Sequence, residues 1–129
     1  MKLFCFGMGY TASLFAKALP WESVYGTHRG TFPLNDEGKE ALAEATHILH
    51  SIPPDKDGDI AIRQNYAMNP EWIGYLSTTG VYGNHDGGWV DENTPTNPNN
   101  DRSEWRVKAE KQWLDQGANI FRLSGIYGV

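Results

Sequence analysis

The run Gly7-Met8-Gly9-Tyr10-Thr11-Ala12 constrains this chain more than any other stretch. It follows a short apolar run, Lys2-Leu3-Phe4-Cys5-Phe6, that predicts a strand. It precedes an apolar-periodic segment, Thr11 to Leu19, that predicts a helix stopped by Pro20. Strand, glycine turn and helix, in that order, are the setting in which G-x-G-x-x-A holds a dinucleotide. Gly7 would make the tight turn, Gly9 would let backbone approach a pyrophosphate, and Ala12 would keep the helix close to the strand. Tyr10 and Thr11 would open the helix, where free N–H groups and the helix dipole favour an anion. An ordinary strand-to-helix turn without a ligand is the competing reading.

The rest of the composition narrows the partners. With 129 residues, 40% hydrophobic and 21% charged, the chain has the size and make-up of one globular domain. Eleven basic residues against 16 acidic ones leave a net charge of −5. That argues against a nucleic acid or an anionic membrane as partner, but not against a phosphate bound by a local turn. The single cysteine, Cys5, has no internal disulfide partner and is expected to be a buried, inert thiol. Neither a signal peptide nor an apolar run of transmembrane length is visible, so a cytoplasmic protein is expected. His47 and His50 fall on opposite faces of a predicted strand and make no metal pattern with Cys5 or the carboxylates, so both read as structural and no metal is expected. The oligomeric state is not legible.

Along the chain, Val24 to Thr27 predicts a second strand ending in Thr27-His28-Arg29. An acidic residue about 20 positions past the glycines would bind the ribose 2′-hydroxyl of NAD. Arg29 stands there instead, beside Thr27, and a guanidinium pairs well with the 2′-phosphate of NADP. NADP is therefore the expected cofactor, with NAD possible. Asp36 to Ala45 predicts a helix and His47 to Ser51 a strand. Ser51, Ile52 and Pro53 close that strand at the end where open α/β sheets bind ligands. A strand near Thr31 to Leu34 poses a difficulty, because no crossover helix fits between Arg29 and Phe32 and parallel neighbours need one. Either that strand does not pair beside the second, or the natural chain carries more residues near Arg29-Gly30. Asp59 to Met68 predicts a helix and Trp72 to Ser77 a strand. A long loop from Asn84 to Asp101, rich in Gly, Asn, Asp and Pro, is long enough to be functional. Arg102 to Gln116 predicts a helix with Trp105, Ala109 and Trp113 along one side, and Asn119 to Leu123 a last strand.

Several blocks together resemble one family. Gly7 to Ala12, Ser77-Thr78-Thr79-Gly80-Val81-Tyr82-Gly83, Trp89-Val90-Asp91-Glu92, Ala109-Glu110 and Phe121-Arg122-Leu123-Ser124-Gly125-Ile126-Tyr127-Gly128 follow that family's order across nearly the whole chain. The chain resembles the extended and atypical short-chain dehydrogenase/reductases, the group of the nucleotide-sugar epimerases and dehydratases. The resemblance implies an α/β fold, a Rossmann-like doubly wound parallel sheet, with residues 1–129 forming one NAD(P)-binding domain. The family continues into a smaller substrate-binding portion, so the chain looks truncated before it.

By position, Thr78 takes the place of the family's catalytic Ser/Thr, which hydrogen-bonds the substrate oxygen beside the nicotinamide. Counting back from Glu110 puts Arg106 in place of the lysine, and Arg102 in place of the tyrosine, of the family's Tyr-x-x-x-Lys. That tyrosine exchanges protons because its surroundings lower a pKa of about 10 toward neutrality. Arginine, with a pKa above about 12, keeps its proton. At positions i and i+4 the two arginines share a helix face and suit a phosphate or carboxylate. The expected partner is a small-molecule substrate bearing such a group. Tyr82, His85, Asp86 and Asp91 are the nearby proton carriers, His85 the best by intrinsic pKa and Tyr82 better read as packing. Two functions follow: an NAD(P)-dependent oxidoreductase or epimerase/dehydratase-like enzyme, with Thr78, Arg102 and Arg106 as its catalytic set, or a non-catalytic NADP-binding sensor or scaffold.

Overall fold

A computed structural model describes residues 1–128. Five parallel strands form one sheet: β1 (Lys2–Phe6), β2 (Ser23–Gly26), β3 (His47–His50), β4 (Trp72–Thr78) and β5 (Asn119–Leu123), in the order β2-β1-β3-β4-β5. Four α-helices connect them: α1 (Tyr10–Ala18), α2 (Asp36–Glu44), α3 (Ile60–Gln64) and α4 (Asp101–Asp115). This is a doubly wound, Rossmann-like α/β fold.

Strand alternation sorts the side chains onto two faces. Phe4, Phe6, Ile48, Ile73 and Tyr75 point to one face and pack against Leu42 of α2, Ala61 of α3, and Ala109 and Trp113 of α4. Leu3, Cys5 and Leu49 point to the other and meet Ala12, Phe15 and Ala16 of α1. His47 and His50 do lie on opposite faces, the first among Trp21 and Trp72, the second among Phe6, Tyr75 and Trp113. Burial pushes the Cys5 thiol up to about 12, the inert state expected of it.

The difficulty near Phe32 has a topological resolution. The chain runs unbroken through His28–Thr31, where the Thr31 amide donates to the His28 carbonyl (3.1 Å), and no strand forms at residues 31–34. The expected strand there is corrected. The crossover is α2, and it leads from β2 back past β1 to β3, which pairs with β1. The sheet order therefore reverses at β1, and the crevice at such a reversal is where open α/β sheets bind ligands. The helix expected over Asp59 to Met68 is also shorter. Asn65 adopts a left-handed conformation (φ 50°), and the chain leaves the helix there. Among the described residues, no helix is long and apolar enough to cross a membrane.

Candidate functional site

The strand ends line up along one edge of the sheet, and the loops that leave them enclose a trough of three adjoining cavities. The first, about 610 Å³, is bordered by Gly7, Gly9, Arg29, Phe32, Ile52 and Pro53 among others. Its volume lies within the range of small-molecule sites. The second, about 360 Å³, shares Gly9 and Ser51 with the first and adds Tyr10, Thr11, Thr78 and Arg106. The third, about 650 Å³, shares Thr78 and Arg106 with the second and adds Arg102, Asn100 and Ser103.

The glycine turn is held from both sides. The Gly7 amide donates to Thr27 Oγ1 (2.8 Å), and the Met8 amide donates to the Thr27 carbonyl (2.9 Å). Ser51 Oγ donates to the Gly7 carbonyl (2.8 Å). Gly7 has φ +87°, and a Cβ there would stand 3.0 Å from both Ser51 Oγ and Ile52 Cγ1. Only glycine meets both demands. Gly9 differs: a Cβ added to it would meet nothing within 4 Å, so its backbone faces open space. Gly9 is also the N-cap of α1 and has no side chain to cap it. Asn35, Asp59 and Asn100 cap α2, α3 and α4 by accepting from Gly38, Ile62 and Ser103 amides. The α1 N-terminus therefore carries no side-chain cap, while Ala12, 1% exposed, lets the helix lie close to β1 and β3. Thr27 is fully buried, so its hydroxyl builds the turn. Arg29 is exposed at the mouth of the first cavity and makes no ion pair among the described residues.

Two buried polar networks, unforeseen as such, hold this edge. His50 Nε2 and Asp59 Oδ2 lie 2.6 Å apart, both side chains wholly buried. The Ile52 amide donates to His50 Nδ1 (3.2 Å), which makes Nε2 the protonated nitrogen that donates to Asp59. Burial pushes the Asp59 carboxyl up, but the hydrogen bonds from His50 and the Ile62 amide outweigh it and hold it below its ordinary value. The pair thereby fixes Ser51-Ile52-Pro53 under the first cavity. The N-cap position of Asp59 was the signal in the sequence that could have found it.

The second network joins β4, α4 and β5. Ser77 Oγ donates to Glu110, and Arg122 donates to both Glu110 oxygens (3.2 and 2.8 Å) while its guanidinium covers the Tyr82 ring at 4.9 Å. The Glu110 hydrogen bond raises the Arg122 pKa further above its ordinary value. This fixes α4 beside Thr78, whose Oγ1 accepts from the Gly80 amide (3.2 Å). Arg106 Nη1 donates to the Leu76 carbonyl (2.8 Å) and its guanidinium lies over the Tyr75 ring at 5.8 Å.

The structure thus brings Thr78, Arg102 and Arg106 to one cavity. The other proton carriers stand elsewhere. Tyr82 is buried and donates to the Asp91 carbonyl (2.8 Å), as a packing residue does. The His85 ring bonds the Tyr82 carbonyl (2.8 Å), and neither it, Asp86 nor Asp91 borders the trough. Among the described residues, no cluster of three or more His, Cys, Asp or Glu is placed to hold a metal.

No family model and no curated protein matches the chain. Solved structures do. A functionally unknown conserved protein from Silicibacter pomeroyi is 37% identical over 98% of this chain and 53% of its own, with a TM-score of 0.78. A candidate NAD-dependent epimerase/dehydratase from Methylobacillus flagellatus is 21% identical over 98% of this chain and 55% of its own, with a TM-score of 0.70. RMD from Pseudomonas aeruginosa, solved with NADPH, is 16% identical over 96% of this chain and 53% of its own, with a TM-score of 0.61. At such identities the last two likenesses establish the fold. The chain spans about half the length of these three proteins.

Proposed function

We propose that this chain is the dinucleotide-binding part of an NAD(P)-dependent protein of the short-chain dehydrogenase/reductase type, with NADP as the cofactor. The observation that carries the reading is the open space above Gly9, at an uncapped helix N-terminus and at the point where the sheet order reverses. The pyrophosphate would lie on the first amides of α1, and Arg29 would pair with the 2′-phosphate. Adenosine would fill the cavity lined by Phe32, Ile52 and Pro53. Fold likeness to an NADPH-bound protein supports the same reading. A cytoplasmic location belongs to this reading.

When bound, the cofactor supplies hydride chemistry. The chain's own contribution is to hold the substrate oxygen at Thr78, whose hydroxyl can donate to it, and to place positive charge beside it through Arg106. Arg106 keeps its proton, and none of the carriers named from the sequence, Tyr82, His85, Asp86 and Asp91, borders the trough. That observation favours a second reading, a binding module that recognises NADP(H) without turning it over.

Titration of the chain with NADPH and NADH tests the proposal. Gly9→Val should abolish binding of both and leave the melting temperature unchanged, because its side chain enters space that only a ligand fills. Full NADPH affinity in Gly9→Val would refute the assignment. Hydride transfer to a panel of carbonyl and sugar-nucleotide substrates then separates enzyme from sensor.

A further inference from the structure

Arg102 and Arg106 are the unexplained charges of this molecule. Both border the third cavity, Arg102 exposed in the first turn of α4 and Arg106 half-buried one turn on. On the same helix Glu110 has the spacing to neutralise Arg106, four residues on, whereas Asp101 and Glu104 lie one and two residues from the nearer arginine and face elsewhere. Glu110 is committed to Arg122 and Ser77, and neither arginine makes an ion pair among the described residues. The one carboxylate bordering the cavity, Asp55, already faces Arg63 at 2.9 Å. Arg106 has only neutral partners, the Leu76 carbonyl and the Tyr75 ring. Two guanidiniums on one helix face with no counter-charge repel each other, and a half-buried one loses part of its hydration as well. The rest of the wall is neutral and polar or apolar: Thr78, Asn100, Ser103, Pro53 and Pro54. A cavity with this lining attracts anions, on a protein whose net charge is −5.

We infer that this cavity is an anion-binding site for the phosphate or carboxylate of a small-molecule substrate, held by Arg102 and Arg106 while Thr78 takes the oxygen at the reacting carbon. Assigning the anion to a substrate rests on the dinucleotide reading above; the anion site itself does not. The dinucleotide's own phosphates are a poor alternative. Arg106 does border the cavity around Gly9, but Arg102 borders neither cavity where the pyrophosphate would lie, so the pair could act together only on an anion in the third cavity, and Arg29 stands at the far end. A planar fork of donors favours a phosphate or carboxylate over a monatomic ion.

The test is calorimetric titration of the full chain with methyl phosphate and, separately, with acetate, at low salt, with and without saturating NADPH. One site is expected. It should be weakened about fivefold or more by Arg102→Ala and by Arg106→Ala, partly restored by Arg102→Lys, and weakened by added salt. The fluorescence of Trp105, which borders the cavity, should report the same binding. NADPH affinity should change less than about twofold in Arg102→Ala, since the two sites share no charge pair. The tighter of the two probes names the class of anion. Unchanged methyl phosphate and acetate affinity in both alanine variants, or no binding of either probe by the wild type, overturns the inference. Displacement of methyl phosphate by NADPH, with NADPH itself weakened by Arg102→Ala, overturns it too, by giving the arginines to the cofactor. If NADPH fails to bind while methyl phosphate binds in an arginine-dependent way, the dinucleotide reading fails and the anion site stands.

Discussion

The two ends of the trough are built on different principles. At the β1–β3 end the protein consumes its own polar side chains. Thr27 and Ser51 hold the glycine turn, and His50 and Asp59 satisfy each other. What faces the cavity is mainly backbone and apolar side chain, with His28 and Arg29 exposed beside it. At the β4–α4 end the interior network of Ser77, Glu110 and Arg122 is closed in the same way, yet Arg102 and Arg106 are left facing the cavity without counter-charge. On the readings proposed above, the first end would recognise a ligand chiefly by shape and backbone donors, the second by side-chain charge. The first end should be broken by steric change and respond to salt mainly through Arg29 and the phosphates, whereas the second should tolerate bulk and respond to salt more strongly.

The largest effect expected at the shape end is that of Gly7→Val. Its positive φ and the crowding by Ser51 and Ile52 should together cost roughly 3 kcal/mol of stability and abolish dinucleotide binding. Chemical denaturation beside Gly9→Val, which should unfold like the wild type, measures the contrast. Equal stability of the two variants would show that the turn is not sterically set.

Next comes Asp59→Ala, which leaves the buried His50 Nε2–H and the Ile62 amide without acceptors. A loss of about 2–3 kcal/mol is expected for two buried unsatisfied donors. The same group gives a pH signature. Its folded-state pKa lies below the unfolded value of about 3.9, so between the two the unfolded state binds more protons and stability falls with falling pH. The contribution is fully present above about pH 4 and is lost as pH drops through the folded pKa. Asp59→Asn should flatten that acid limb of the melting temperature, and an unchanged limb would place the acid dependence elsewhere.

Arg29→Glu sharpens the comparison from the other side, since Arg29 is the one charge offered at the shape end. It should cost NADPH about tenfold, near 1.4 kcal/mol, and leave NADH unaffected or improved. Equal losses for both cofactors would make Arg29 an ordinary loop residue. The smallest effect concerns Cys5: at a pKa of about 12 and fully buried, it should not react with a thiol reagent until the chain unfolds.

The elements of this fold were legible because their signals are local. The glycine turn, the stop at Pro20, the apolar periods and the alternation that parts His47 from His50 depend on neighbours a few residues away. On that basis the sequence by itself determined the parallel α/β layering, the place of Gly7, Gly9 and Ala12, and the spacing that sets Arg102 and Arg106 on one helix face. Strand order was beyond it. Nothing local says that the chain leaving β2 must pass β1 before pairing, and assuming a neighbour for β2 produced a strand near Phe32 that does not exist. The polar networks were hidden for the same reason, since Glu110 meets Ser77 and Arg122, and Thr27 meets Gly7, only once strand register has been chosen. Tertiary structure alone decided which charges are spent and which are left over. Of the carboxylates on α4 near the two arginines, Glu110 stands at pairing distance in sequence, four residues past Arg106. Only the packing of α4 on β4 and β5 turns Glu110 toward Arg122 and leaves Arg102 and Arg106 to the cavity, because an ion pair is fixed by where side chains converge and not by how far apart they are along the chain.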